Sequence, residues 1–194
     1  MGANFYCYFT PYKSDIHAAL QVLREAEFKA GRYSAAMMVA EPPLYMFQMK
    51  FPPDASSPRR GPVHSSIEEA FENMNEDGTG SILDIVRVSD ETDICAACPV
   101  SDDNLRLSFS TTQASRAEVE RAFVRLETGT RNPEILERIG RGEARYIIVY
   151  EAGRPNEIFF MGYTFDQHAI RNDLAFDRDV APVPKRRTFA APCF

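Results

Sequence analysis

The chain has no tryptophan, only three histidines and only four cysteines among its 194 residues. Four cysteines in a chain of this length exclude a small disulfide-stapled scaffold, so we expect reduced thiols. No apolar run reaches the roughly 20 residues that a membrane-spanning helix needs, so we expect no membrane partner. The start, MGANFYCYF, lacks the basic and long apolar segments of a secretory signal. We therefore expect a cytoplasmic protein.

Positive charge is also in short supply. Lys and Arg number 22 against 28 Asp and Glu, which gives a formal net charge of −6. A nucleic-acid binder neutralises phosphates with Lys and Arg, so this balance argues against a nucleic-acid partner. The same balance suits a basic protein partner, and it is also what keeps an ordinary protein soluble.

Strong catalytic and cofactor motifs are missing as well. The sequence contains no GxSxG, HExxH, GxxxxGK[ST] or GxGxxG pattern, so it predicts no cofactor and identifies no catalytic residue. His17, His64 and His168 could each act as a general base, and Cys7 could be a nucleophile beside one of them. A surface or packing role is the simpler interpretation of each histidine.

What the sequence does contain is a strong β-hairpin. Residues 145–151 and 157–165 are rich in β-branched and aromatic side chains, and Gly153 and Pro155 between them predict a chain reversal. Alternation along the strands makes both faces of this hairpin apolar. A strand that is apolar on both faces is normally covered on both. A helix layer could cover one face and a partner protein the other.

The remaining patterns predict helices and further strands. Apolar spacing, capping residues and a proline at a first helical position predict helices over residues 14–30, 66–76, 116–128 and 132–140. Alternation and β-rich composition predict strands over residues 4–10 and 81–88 and a short edge strand at Leu105, Leu107 and Phe109, with a loop over residues 89–104.

This order of elements indicates an α+β fold. We expect a single domain over residues 1–178, with a mainly antiparallel sheet built on the C-terminal hairpin and packed by about four helices. Proline and basic residues predict an extended tail over residues 179–194.

Cys95-Ala96-Ala97-Cys98 is the sharpest local motif. Two thiols at this spacing can form a redox disulfide or supply half of a zinc site. Nearby acidic residues disfavour the thiolate that redox chemistry needs, and zinc would need two further ligands from elsewhere in the fold. Inert loop thiols are the simpler interpretation, and Cys95 and Cys98 remain the one candidate thiol or metal pair.

Residues 73–84 match a calcium-binding loop in the positions of their oxygen side chains and of Gly78. The twelfth place is Asp84 rather than the bidentate Glu, and a strand is expected where a helix should follow. A helix that ends in a tight turn explains the same residues.

These observations favour a non-catalytic, cytoplasmic protein-binding domain, such as an inhibitor or immunity-type protein that masks a partner's site. The doubly apolar hairpin, the negative charge and the Met- and Pro-rich residues 32–60 support it. One alternative is a small enzyme, a hydrolase or transferase, with a loop-built site that uses His and Cys. Its mark would be a pocket in which a His meets a carboxylate or a Cys. The other alternative is a metal-supported structural domain that uses Cys95 and Cys98.

Overall fold

The computed structural model describes residues 5–34, 50–73, 78–127 and 138–164. Within these ranges the fold is α+β, with a mixed five-stranded sheet and four helices. The strands are β1 (Phe5–Pro11), β2 (Arg87–Val88), β3 (Ala96–Pro99), β4 (Ala144–Glu151) and β5 (Arg154–Tyr163). The helices are α1 (Ile16–Ala30), α2 (Ile67–Glu72), α3 (Asp102–Phe109) and α4 (Arg116–Glu127), and a short 3-10 helix spans Ile82–Asp84. The predicted tail and most of the predicted helix over residues 132–140 lie outside the described residues.

The strands are arranged in the order β1-β5-β4-β3-β2. The pairings of β1 with β5 and of β5 with β4 are antiparallel, as expected. The pairings of β4 with β3 and of β3 with β2 are parallel, which the sequence did not indicate. The crossover from β3 through α3 and α4 returns the chain to the same end of the sheet before β4 begins, which makes β4 parallel to β3.

The predicted hairpin is confirmed and supplies two of the three inner strands of the sheet. Its turn is tighter than expected, with only Ala152 and Gly153 between the strands, at φ values of 49° and 75°. Positive φ at both central residues is typical of the two-residue hairpin turns that match strand twist. Pro155 lies inside β5 rather than in the loop, beyond the point where β1 stops pairing. Proline has no N–H to donate, but β1 does not pair at this position, so no hydrogen bond to β1 is lost.

Helices of this chain cover both faces of the hairpin. One face packs under α1, through the side chains of Tyr6, Tyr8, Leu20, Leu23, Ile158 and Phe160. The other face packs under α3 and α4, through Leu105, Val119, Phe123, Ile147, Val149, Phe159 and Met161. The idea that a partner protein covers the second face is therefore wrong, because the chain supplies that cover itself.

Two predicted strands are also corrected. Only Arg87 and Val88 of residues 81–88 form a strand, because the preceding residues turn into the 3-10 helix. Residues 102–109 form α3 instead of an edge strand. The side chain of Ser101 caps this helix, and Leu105 packs inward while Leu107 is exposed. Leu105 and Phe109 are four residues apart, so they share a helix face as readily as a strand face.

Capping residues define the helix boundaries much as expected. The side chain of Asp15 accepts a hydrogen bond at the start of α1, and Gly31 ends that helix at a φ of 69°. Ser66 begins α2, and Ser115 with Glu118 forms the predicted capping box of α4. No helix among the described residues has the length and apolar character needed to cross a membrane.

Gly162 lies in β5, where other parts of the chain approach its backbone closely. A Cβ atom at this position would lie 2.7 Å from the hydroxyl of Tyr6 and 2.8 Å from the backbone oxygen of Glu143. The Tyr6 hydroxyl is buried and has no hydrogen-bond partner among the residues that the structure describes. Gly162 therefore has a packing role, since a side chain at this position would meet Tyr6 and the backbone of Glu143.

We expect Gly162→Ala to lower the free energy of unfolding by about 1–3 kcal/mol, the usual cost of overpacking a core. Urea denaturation followed by circular dichroism measures this loss. In a Tyr6→Phe background the loss should be smaller, because the nearest clashing atom is removed while the Glu143 oxygen remains. A Gly162→Ala protein as stable as the wild type would contradict the packing role.

Candidate functional site

A pocket of about 540 Å³ lies where β2 and β3 end. Its lining comprises Asp90, Glu91, Thr92, Cys98, Pro99, Val100, Ser101, Asn104, Arg138 and Arg145. The first three follow β2, and the residues from Pro99 to Ser101 lead from β3 into α3. The crevice at the carboxyl ends of parallel strands is where open α/β sheets usually bind ligands. The volume also falls within the roughly 300–1,000 Å³ of small-ligand sites.

The parallel pairing of β3 with β4 sets the base of the pocket. Cys98 is paired with Arg145 in the register of these two strands, so both side chains leave the same face of the sheet. Cys98 is buried, with 5% of its surface exposed. Its sulfur lies 3.9 Å from the hydroxyl oxygen of Thr92. A thiol, a hydroxyl and a guanidinium therefore meet at the base.

Hydrogen bonds hold the guanidinium of Arg145 in one position. Its Nη2 donates to the Thr92 hydroxyl at 3.0 Å and to the backbone oxygen of Arg138 at 3.1 Å. Its Nη1 donates to the backbone oxygen of Ala144 at 3.1 Å. Glu143 lies 3.3 Å away and offsets the positive charge, and only 12% of the Arg145 side chain is exposed. A group with this many partners is a rigid part of the pocket.

Arg138 and Asn104 form the side of the pocket next to α3. Arg138 donates from Nη1 to the amide oxygen of Asn104 at 3.0 Å. This bond orients the Asn104 amide, so its NH₂ group is left as a donor. Across the described residues, no carboxylate forms an ion pair with Arg138. Its positive charge therefore has no counter-charge there.

Asp90 and Glu91 make the rim of the pocket negative. Both are exposed, and no Lys or Arg in the described part of the chain pairs with either carboxylate. The neighbouring Asp93, by contrast, is paired with Arg87. Burial raises the pKa of Tyr146, and the negative charge of Asp90 raises it further. Two carboxylates without a counter-charge thus face solvent at the pocket mouth.

The structure separates the two cysteines of the sequence motif. Cys95 packs beside Phe71 of α2, whereas Cys98 lines the pocket. Cys95 lies in the turn before β3, at a φ of 57°, whereas Cys98 lies within the strand, so their side chains have different surroundings. They do not lie in the predicted loop, since Cys98 belongs to β3 and Cys95 immediately precedes it. No disulfide links Cys7, Cys95 and Cys98. Nor does any group of three His, Cys, Asp or Glu side chains suit a metal ion within the described ranges.

Neither of the two histidines that the structure describes, His17 and His64, lines the pocket. His64 Nδ1 lies 3.2 Å from the hydroxyl oxygen of Tyr33, which also accepts backbone hydrogen bonds from residues 63 and 64. This contact links the segment that precedes α2 to the segment that follows α1. His17 lies beside Gln21 on the exposed side of α1. His168 lies outside the described residues.

Asp84, the twelfth place of the calcium-like stretch, faces the core. It is fully buried, and Thr79 donates both its backbone N–H and its hydroxyl to Oδ1 at 2.7 Å. Burial raises the pKa of Asp84 from 3.8 to about 6, although the bonds from Thr79 partly oppose this. The carboxylate therefore closes a tight turn before β2, as the simpler interpretation of residues 73–84 holds.

The raised pKa makes the contribution of Asp84 to stability depend on pH. Asp84 binds a proton more tightly in the folded protein than in the unfolded chain. Its contribution is therefore complete below about pH 3.8 and is lost as the pH rises through about 6. A shift of this size is worth about 3 kcal/mol.

Asp84→Asn keeps an oxygen acceptor for Thr79 and cannot ionise. We expect the free energy of unfolding of this variant, relative to that of the wild type, to increase by about 3 kcal/mol from pH 4 to pH 7.5. Urea denaturation at both pH values measures the two free energies of unfolding. Because the other titrating groups are common to both proteins, their effects cancel in the difference. A difference that stays constant with pH would contradict a raised pKa.

Three residues of the pocket escaped the sequence analysis. Asn104 was placed in a loop, Arg138 near the end of a helix, and Arg145 at the start of a strand. Of these three, only Arg145 carries a sequence feature that points to a site, because a charged residue beside a buried apolar run needs polar partners. Asn104 enters the pocket from α3, and Arg138 enters it from the segment that precedes β4.

Comparison of this chain with protein-family models, with curated proteins and with solved structures finds no match. The chemistry of the pocket is therefore the basis for a functional assignment.

Proposed function

We propose that this chain is a cytoplasmic protein-binding domain, and that the pocket between β2, β3 and α3 receives part of its partner. An inhibitor or immunity-type protein that masks a partner's site is the form of this function that we favour. The observation that carries the proposal is the pair of exposed carboxylates, Asp90 and Glu91, at the mouth of a rigid pocket.

The geometry supports recognition in two ways. Arg145 and Asn104 are held by hydrogen bonds before any partner arrives, so little ordering is needed on binding. Asp90 and Glu91 add negative charge at an accessible rim, and complementary charge sets orientation and association rate at protein interfaces. The net charge of −6 acts in the same direction over longer distances.

We expect the double substitution Asp90→Lys, Glu91→Lys to weaken capture of a partner at least tenfold, because it reverses the charge of the rim. Tagged protein incubated with lysate of the source cells, followed by quantitative mass spectrometry at moderate salt, measures capture. Glu72→Lys with Glu151→Lys is the matched control. Both residues are exposed and lie outside the pocket, and the change in net charge is the same. Equal loss of partner capture in both double variants would show that the effect comes from net charge alone. A wild-type protein that captures nothing would contradict the proposal.

A small enzyme, a hydrolase or transferase, is the second candidate, and the position of Cys98 favours it. Of the residues named for this alternative, Cys98 is the one that lines the pocket, next to the Thr92 hydroxyl and across from Arg145. A thiol facing a pocket with fixed donors has the surroundings of a nucleophile. Cys7, by contrast, is packed in the core, where burial raises the pKa of its thiol well above the ordinary range.

We expect iodoacetamide to alkylate Cys98 at least tenfold faster than Cys7 in the folded protein, because only Cys98 borders a space that a small molecule can enter. Timed labelling, digestion and mass spectrometry give the two rates in one sample. Labelling in urea supplies the rates without the fold. Equal rates for the two cysteines in the folded protein would remove the ground for the enzyme candidate.

A further inference from the structure

The charges that line the pocket define a more specific ligand. Three charged side chains have no ion-pair partner among the described residues, namely the cation Arg138 and the anions Asp90 and Glu91. Arg145, the fourth charged residue, is already offset by Glu143. A complementary ligand carries one negative group for Arg138 and positive charge for the two carboxylates.

The positions of these charged side chains indicate which group of the ligand each of them contacts. Arg138 is joined to Asn104, whose NH₂ group is a donor, and Asn104 stands in the first turn of α3. Together these groups offer a guanidinium and an amide to the oxygens of a carboxylate, and guanidinium binds carboxylate in two-point geometry. Asp90 and Glu91 belong to a different segment of the lining, the one after β2, and would hold an ammonium or guanidinium there.

We propose that the pocket binds the C-terminal residue of a partner protein, and that this residue is Lys or Arg. Its free carboxylate contacts Arg138 and Asn104, and its basic side chain contacts Asp90 and Glu91. This inference rests on the proposed protein-binding function and names the part of the partner that enters the pocket. Capture of a chain end by its carboxylate is a known mode of peptide recognition.

The size of the pocket and its base suit such a ligand. A volume of about 540 Å³ accommodates a single long side chain with its terminal carboxylate. Besides the polar side chains of Thr92 and Arg145, the lining includes the buried Val100 and Cys98, which offer apolar surface to the methylene groups of Lys or Arg. Thr92, with its hydroxyl already bonded to Arg145, also belongs to the lining.

Isothermal titration calorimetry with four probes tests this inference. The first probe is acetyl-Gly-Ser-Gly-Ser-Lys with a free C-terminal carboxylate, and the second is the same peptide as a C-terminal amide. The third replaces the terminal Lys by Gln and keeps the carboxylate, and the fourth is free lysine. We expect the first peptide to bind at least tenfold more tightly than the second and the third. Equal binding of the acid and the amide, or no binding of the first peptide, would overturn the proposal.

Two variants assign the contacts. Arg138→Gln should abolish the preference for the acid over the amide, and Asp90→Asn with Glu91→Gln should abolish the preference for Lys over Gln. All three residues are exposed, so these variants should keep the thermal unfolding midpoint of the wild type, which is measured alongside. Variants that retain both preferences would also overturn the proposal.

The outcomes separate this inference from the function on which it rests. If the rim double variant loses a protein partner but no peptide binds, the binding function stands and the chain-end ligand is wrong. If free lysine binds as tightly as the first peptide and no protein is captured, the pocket belongs to a small molecule. In that case both the protein-binding function and the chain-end ligand are wrong.

Discussion

The pairing of β4 with β5 is the interaction on which the rest of this structure depends. These strands place apolar side chains on both faces of the sheet, so each face must be shielded from water. Helix α1 shields one face, and α3 with α4 shields the other. The two helix layers do not need to touch each other, because each packs on the same pair of strands. Loss of the hairpin would therefore leave neither layer with a surface to cover.

The pocket is a consequence of how the second helix layer is attached. Helix α3 must begin directly after β3 and cross over to reach the parallel strand β4, which leaves a crevice where β3 ends. Arg145 extends from β4 into this crevice, and its charge is tolerated there because Glu143 and three oxygen acceptors surround it. The base of the pocket is thus built from strands and a helix, whereas its rim is a loop. Such a division gives fixed donors inside and adaptable charges outside, as suits a recognition site.

Features with local causes were predictable from the sequence. The starts of α1, α2 and α4 follow from capping side chains within three residues of each start. The hairpin follows from two β-rich segments around a glycine. Helix α3 was missed because Leu105, Leu107 and Phe109 alternate while Leu105 and Phe109 also keep helical spacing. The burial of Leu105 in the same core cluster as Ile147 decides between these two patterns, and these residues are 42 positions apart.

The sequence by itself determined the class of the fold, the doubly apolar hairpin, most helix boundaries and the acidic balance of the surface. Each of these depends on residue type and on neighbours only a few positions away. The tertiary structure alone decided that β3 lies parallel to β4, that Cys95 and Cys98 lie in different surroundings, and that Arg138, Arg145 and Asp90 line one pocket. These outcomes depend on strand register and crossover path. Strand register and crossover path depend on the packing of apolar side chains that are far apart in the sequence, and no local pattern of residues encodes that packing.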